Sequence, residues 1–527
     1  MSDDKITILQ VSNDSSWQDS CQIPETLRWF HLRPDEIADF TADQLAKKAE
    51  NKVLKKENLK PHKLLSFQAV LYTDSTVGDE FLALADWIEP HTLYFPEDLP
   101  SLPDTLEPLF HQKLARALDM TDKDALLMRL SKGLFIKQYG AKMGIKELMM
   151  TKSLLNPITF EGNRYAVLTD DFGSDFEQVA YYRYNVPFES AKYLDLWQEM
   201  IHDSSVDVQI RIQLIPAGAT FEIAKEWCFE GEALKDPLTL EASVDGNLFI
   251  SVLAKGEGTL KLGPLHYRFA RNGLGEYIPG GERFADANGH EFMTYFHPGD
   301  LKPPLNVYFS GYRSAEGFEG FFMMKRFGSP FLLVCDPRNE GGSFYLGSES
   351  YEKALAAKIK ETLDFLGFTS KDLILSGLSM GTFGALYYGS ELSPHAIVVG
   401  KPLVNLGNMA YKERLSRPNG FGTSLDLLQA MSGAQDEEAI QHLNNRFWKK
   451  FNKADFSHTQ LALAYMKDDD YDDKAFDDII EKTRDKKLKI YGKGWVGRHN
   501  DNSSAVVVWF VSQYNKILNR DFGRELK

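Results

Sequence analysis

The chain has 527 residues, of which 43% are apolar, enough for about three domains at ~150 residues each. Asp and Glu (75) outnumber Lys and Arg (60), giving a formal net charge of −15. That balance argues against nucleic acid or an anionic membrane as the main partner, because both reward clustered basic charge.

Three distant cysteines, Cys21, Cys228 and Cys335, have no CxxC spacing. They fit a reducing compartment and neither a zinc site nor a disulfide framework. The acidic start "MSDDKITILQVSNDSSW" lacks the basic-then-apolar pattern of a secretory signal, and no run reaches the ~18 apolar residues of a membrane span. A soluble, intracellular protein is expected.

In chain order, residues 1–204 read as a mixed α/β region. "ITILQVS", "LSFQAVLYTD" and "HTLYF" are strand-like, and "VGDEFLALADWI" has helical spacing. "LEPLFHQKLARALDM" and "DKDALLMRLSKGLFIKQYGAKM" repeat apolar residues at three- and four-residue steps, as amphipathic helices do. "RYAVLTDDFGSDFEQVAYYRYNV" predicts two strands. The lysines of "LAKKAENKVLKKENLK" suit a solvated helix face. No catalytic constellation stands out in this region.

From Val206 the pattern changes. Val206, Val208, Ile210, Ile212 and Leu214 alternate with polar residues, and Gly-containing turns break "NLFISVLAKGEGTLKLGPLHYRFAR" into further strands. Residues 205–275 are therefore expected to form a small β-sandwich, a module that binds sugars or proteins or acts as a spacer. "EYIPGGERFADANGHEF" reads as a linker. Beyond it, in residues 276–527, strands ("LNVYFSGY", "PFLLVCDP", "DLILSG", "HAIVVGKP", "QLALAYM", "KKLKIYG") alternate with helices. This predicts a mainly parallel sheet covered on both faces.

"DLILSG" runs into Gly377-Leu378-Ser379-Met380-Gly381 and then into the helix-compatible "TFGALYYGSEL". G-x-S-x-G alone is weak, matching by chance in roughly one chain of this length in seven. A strand before it and a helix after it are the setting in which such a serine is a nucleophile. The hydroxyl needs a base and an acid to orient that base, in the order Ser, acid, His. Of the histidines after Ser379, His395 and His458 precede strands and His442 sits in a helical run. His499, in the Gly-rich loop after the last strand, is the expected base. The acid belongs just past "LALAYM", where Asp468, Asp469, Asp470, Asp472 and Asp473 stand. Asp469 is preferred for its turn length, with Asp468 and Asp470 as alternatives. Oxyanion donors are expected from the backbone N–H of Met380 and of Tyr312, where Ser310-Gly311-Tyr312 takes the place of the more usual His-Gly pair.

Two other motifs fail. The D-x-D-x-D of Asp468, Asp470 and Asp472 lacks the Gly and Glu of a calcium loop. "GKGWVG" has too little chain after it for a dinucleotide-binding unit. No resident cofactor or metal is expected.

The phrases "PPLNVYFSGYRSAEGFEGFFMMKRFGSPFLLVCDPRNEGGSFYLGSESYE", "GLSMGTFGALYYGSELSPHAIVVGKPLVNLGNMA" and "AYMKDDDYD" resemble the accessory Sec system of Gram-positive bacteria, more narrowly the second of its three accessory secretory proteins. "IQLIPAGATFEIAKEW" extends the resemblance back to about residue 205. It implies an α/β-hydrolase-like C-terminal domain and a carbohydrate-binding-like sandwich. It also implies a part in exporting serine-rich-repeat glycoprotein adhesins, with O-acetyltransferase activity toward N-acetylglucosamine on the glycoprotein. The family's Ser-acid-His residues fall on Ser379, Asp469 and His499. Implied partners are the two sister accessory secretory proteins, the accessory SecA motor and the glycoprotein; an acetyl donor is implied, without its identity. The implied location is cytoplasmic, at the inner face of the membrane where the export complex holds it. A non-catalytic binding subunit of that complex and a cytosolic serine esterase are the alternatives.

Overall fold

The computed structural model describes residues 5–151, 154, 156–415 and 420–525. The chain divides into two compact units. The first comprises residues up to Lys137 with Ala191–Tyr193 and Ala270–Gly280; the second comprises Gln138–Ser190, Leu194–Phe269 and the chain from Gly281 onward.

The first unit is built on five parallel strands in the order Leu27–Leu32, Ile6–Val11, Ala69–Tyr72, Leu93–Pro96, Arg116–Leu118. Apolar side chains leave the sheet on both faces. Ile6 and Ile8 pack with Leu126, Leu127 and Leu130 of the helix Lys123–Gly133, while Leu9 and Val11 pack with Ile37 at the start of the helix Ile37–Lys56. A sheet covered on both faces requires this run of apolar residues. Three expected helices are shorter or different. The run over "VGDEFLALADWI" forms 3-10 turns at Asp79–Trp87. The helix at Glu107–Lys113 ends because Leu114 takes a left-handed conformation (φ 50°), which turns the chain into the strand Arg116–Leu118. The next helix stops at Gly133, where a Cβ would lie 2.8 Å from the carbonyl oxygen of Arg271, and Gly140–Met143 is a strand.

The second unit contains an eleven-stranded sheet organised by one long strand, Gly246–Ala270. Its first half pairs with Val206–Pro216 and Glu177–Tyr182, and its second half with Tyr165–Asp171 and Gly140–Met143. Gly256 and Gly258, at φ 92° and 150°, mark the change between the halves. One hydrophobic core joins both. The β region expected at 205–275 therefore begins at Gly140, because the long strand recruits partners from the preceding 60 or so residues, which lie in the range read as mixed α/β.

An eight-stranded sheet follows. Numbered along the chain from Gly281–Ala285, its strands lie in the order 1-2-4-3-5-6-7-8. The first two, Gly281–Ala285 and Glu291–His297, are antiparallel; the pairings from Leu305–Phe309 onward are parallel. The stretch read as a linker is thus a hairpin in this sheet. Two of its charges, Glu291 and Arg283, are paired in the sheet: Glu291 is fully buried and accepts hydrogen bonds from Arg268 (2.5 Å) and Arg283 (2.6 Å). The helices Glu349–Leu366 and Met380–Leu392 cover the face that carries Val307, Phe309 and Leu375. The helix Ser503–Phe522 covers the other, with Phe510 against Tyr308 and the Tyr514 hydroxyl donating to Ser376 Oγ at 2.6 Å. Between the strands Ala396–Gly400 and Gln460–Met466 the chain forms the helices Leu406–Leu415, Thr423–Ser432 and Glu437–Lys453.

Candidate active site

Ser379 stands between the strand Leu373–Leu378 and the helix Met380–Leu392, at φ 52° and ψ −120°. A non-glycine residue held there costs on the order of 1–3 kcal/mol and persists only where its surroundings fix it. Here they do. The Ser379 N–H donates to the Gly400 carbonyl at 2.8 Å, and the Ser379 carbonyl accepts from the Thr382 N–H (2.9 Å) and hydroxyl (2.6 Å). The flanking glycines permit the turn. A Cβ on Gly377 would lie 2.3 Å from the Gly381 carbonyl oxygen, and one on Gly381 would lie 2.1 Å from that of Phe309.

His499 follows the strand Lys489–Trp495 and is buried. Its Nε2 is 2.8 Å from Ser379 Oγ, and its Nδ1 is 2.8 Å from Asp469 Oδ2. A carboxylate only accepts, so Nδ1 carries the proton toward Asp469 and Nε2 is left to accept from the Ser379 hydroxyl. Asp469 is also buried, and its other oxygen accepts the N–H groups of Tyr471 (2.9 Å) and Asp472 (3.2 Å). The neighbouring carboxylates have separate tasks. Asp468 accepts the Gly497 N–H at 3.1 Å and Asp470 the His499 N–H at 3.1 Å, so both hold the loop that carries His499. Asp472 caps the backbone of Val404 and Asn405 (2.8 and 2.7 Å). Burial raises its pKa, and those same donors oppose the rise.

The other histidines considered lie elsewhere: His442 and His458 are exposed, and His395 bonds Asp521 at 2.9 Å.

The Gly311 N–H donates to Glu319 Oε2 at 2.8 Å, so it is already engaged. Among the described residues the N–H groups of Tyr312 and Met380 have no protein acceptor. Both residues line a cavity of about 400 Å³ together with Ser379 and His499. Gly341 and Gly342 fit against it closely: a Cβ on Gly341 would lie 2.1 Å from the Tyr312 ring, and one on Gly342 2.4 Å from Met380 Cε. The arrangement can therefore move a proton from Ser379 Oγ to His499 and present two N–H groups to an anion beside that oxygen.

Several participants were not foreseen from sequence. Tyr471 covers the imidazole of His499, with ring centroids 4.5 Å apart. Phe421 packs between Tyr312 and Tyr471. Lys401, at φ 61°, donates from Nζ to the Asp501 carbonyl and to Ser503 Oγ, both at 2.9 Å. Burial lowers its pKa, and the charges of Asp469 and Asp501 oppose that. Tyr471 adjoins the Asp run that was singled out; Glu319, Phe421 and Lys401 have no local signal. Among the described residues no group of three or more His, Cys, Asp or Glu is placed to hold a metal ion, and no helix is long and apolar enough to cross a membrane.

Residues 6–524 match the family described as "Accessory Sec system GspB-transporter". The chain belongs to this family. It is 36% identical to an accessory Sec system protein of Streptococcus gordonii over 521 residues, covering 99% of each chain. It is 42% identical to an accessory Sec system protein of Staphylococcus aureus (strain NCTC 8325 / PS 47) over 437 residues, covering 83% of this chain and 84% of that one. Among solved structures, a chain of the Glycosylation Associate Protein (Gap123) complex from Streptococcus agalactiae matches with a TM-score of 0.93 and 45% identity. That match covers 99% of this chain and all of the other.

Proposed function

We propose that this chain is a serine-dependent O-acetyltransferase of the accessory Sec system that acetylates N-acetylglucosamine on a serine-rich-repeat glycoprotein. The observation that carries the reading is the continuous hydrogen-bonded path Asp469–His499–Ser379, 2.8 Å at each side-chain contact, at a strained strand-to-helix turn. The strand order 1-2-4-3-5-6-7-8 with the serine after the fifth strand supports an α/β-hydrolase-like domain.

In the first half-reaction Ser379 Oγ attacks the acetyl carbonyl while His499 Nε2 takes its proton. Asp469 holds the imidazole in the required tautomer and stabilises the imidazolium. Negative charge on the carbonyl oxygen is met by the Met380 and Tyr312 N–H groups. The bond to the donor's leaving group breaks, and His499 gives that group the proton. In the second half-reaction His499 takes the proton of a sugar hydroxyl, whose oxygen attacks the acetyl-serine. The Ser379 ester bond breaks and the proton returns to Ser379. Transfer and hydrolysis use the same residues, so the acceptor site must seat the sugar in place of water.

As in the sequence reading, the sheet before this domain is proposed to recognise carbohydrate. The two sister accessory proteins, the accessory SecA motor and the glycoprotein are the proposed partners, and the site of action is the cytoplasmic face of the membrane. A relative that is part of the Gap123 complex favours a second, compatible role as a binding subunit of an assembly. The test is Ser379→Ala in the producing strain: acetylation of the exported adhesin disappears while complex assembly and export persist. Unchanged acetylation overturns the enzymatic reading.

A further inference from the structure

A second cavity, of about 590 Å³, lies within the same unit between the eleven-stranded sheet and the eight-stranded sheet's loops. Glu340 lines both this cavity and the one at Ser379. Thr423 of the first cavity and Asp426 of the second lie one turn apart on the same helix, and the Thr423 hydroxyl donates to the Glu340 carbonyl at 2.6 Å. The two spaces therefore share a wall that this hydrogen bond fixes.

The charges around the second cavity balance. Lys142, Lys146 and Arg164 face Glu147, Glu340 and Asp426. Two of the cations are already engaged. Lys142 Nζ donates to the carbonyls of Pro337 and Asn339, and Arg164 Nη2 lies 2.6 Å from His290 Nε2. A phosphate-bearing donor would call for uncompensated positive charge. Beside these charges the lining carries amides and aromatic rings, among them Asn163, Asn185, Tyr184 and Tyr267. Asp426 is buried and accepts the Asn163 N–H at 2.8 Å, so the loop bearing Asn163 is fixed against the helix. Amides serve both hydroxyl donors and acceptors, and a tyrosine ring covers the C–H face of a pyranose.

We infer that this second cavity is the acceptor subsite: it holds neutral sugar residues of the glycan, with Tyr184 and the Asn163 and Asn185 amides as contacts, and presents a terminal sugar hydroxyl past Glu340 to Ser379. This rests on the acetyltransferase reading for the identity of the reaction, but the binding claim is measurable without it.

The experiment uses the full-length Ser379→Ala chain, which binds without turnover, and a synthetic glycopeptide carrying N-acetylglucosamine. Titration calorimetry compares this chain with the same chain carrying Tyr184→Ala or Asn185→Trp. Tyr184 is 56% exposed, so its loss leaves the fold intact. Tyr184→Ala is expected to weaken glycopeptide binding roughly three- to tenfold, and Asn185→Trp, which fills the groove, to abolish it. In a Ser379 background the same two changes leave hydrolysis of p-nitrophenyl acetate at its wild-type rate, because that ester needs only the first cavity. Unchanged glycopeptide affinity in both variants overturns the inference. So does competition by coenzyme A that either substitution relieves, since the groove would then hold the donor. Loss of ester hydrolysis with Ser379→Ala but not with the groove variants keeps the two claims separate. If Ser379→Ala retained full hydrolysis, the catalytic reading would fail while the binding result stood.

Discussion

Asp469→Asn gives a sharp test of the hydrogen-bonded path because the structure dictates how the amide must turn. Oδ1 of Asp469 accepts two backbone N–H groups, from Tyr471 and Asp472. In the variant the amide oxygen must keep that place, since an NH₂ there would face two donors. The NH₂ group then points at His499 Nδ1, which has to accept. The ring proton moves to Nε2, so the imidazole donates to Ser379 Oγ and no longer takes its proton. Shape and burial are almost unchanged, yet the base is disabled. A wrong tautomer of this kind costs about 10⁴-fold in kcat, or about 5.5 kcal/mol of barrier. The assay is steady-state hydrolysis of p-nitrophenyl acetate, with circular dichroism to establish the fold. Asp470→Asn is the control. Its Oδ1 accepts the His499 backbone N–H, a task an amide oxygen also performs, and its rate stays close to wild type. An Asp469→Asn rate within tenfold of wild type would refute the assignment of the acid and the tautomer argument with it.

Other consequences are equally concrete. Gly381→Ala drives a methyl into the Phe309 carbonyl and should lower stability by about 1–3 kcal/mol, read as an earlier urea midpoint, together with a fall in ester hydrolysis. Tyr312→Ala keeps most of the hydrolysis rate, because the backbone N–H is the proposed donor; a loss as large as that of Asp469→Asn would move the role to the side chain. His266 is fully buried with Glu316 at 2.5 Å and Glu199 at 2.8 Å. His266→Leu removes the imidazole that bridges both carboxylates, while Arg268 stays 3.5 Å from Glu316, and should cost roughly 3–5 kcal/mol. Burial lowers the His266 pKa, but the two carboxylates raise it further, and the net shift is upward from 6.5. Its stabilisation is thus fully present below pH 6.5 and lost as pH rises through the folded-state value. Burial raises the Glu199 pKa, but the bond to His266 brings it from 4.5 to about 2, so its share is present above pH 4.5 and lost as pH falls toward 2. The stability gap between wild type and His266→Leu should peak between these limits in chemical denaturation at several pH values. A gap that grows above pH 7 contradicts the buried imidazolium.

The site was legible where chemistry imposes spacing on the chain. A serine at the apex of a strand-to-helix turn needs glycines two residues either side, and the contacts of Gly377 and Gly381 give the reason. A base that reaches it must come from the loop after the last strand, where His499 lies. The choice among five nearby aspartates was open because sequence spacing does not reveal where a carboxylate points. Asp468, Asp469 and Asp470 are consecutive, yet they bond the Gly497 backbone, the His499 ring and the His499 backbone. Legibility ended where polar residues are buried. In the hairpin read as a linker, Glu291 sits at 0% exposure because Arg268, distant in the chain, and Arg283 both bond it, and nothing local in the sequence shows that pairing. The sheet's start at Gly140 was hidden because short strands such as Gly140–Met143 and Leu148–Met150 acquire their identity from distant partners. Glu319, which engages Gly311 and so leaves Tyr312 as the open donor, is an ordinary acidic residue until the loop is folded.

The central claim is that Ser379 carries the acetyl group. Brief incubation of the full-length protein with p-nitrophenyl acetate, acid quenching and peptide mass mapping reads this directly. One acetyl group on Ser379 itself is predicted, lost in Ser379→Ala and in His499→Ala. An unlabelled Ser379, in a preparation that still turns the ester over at the wild-type rate, would contradict it.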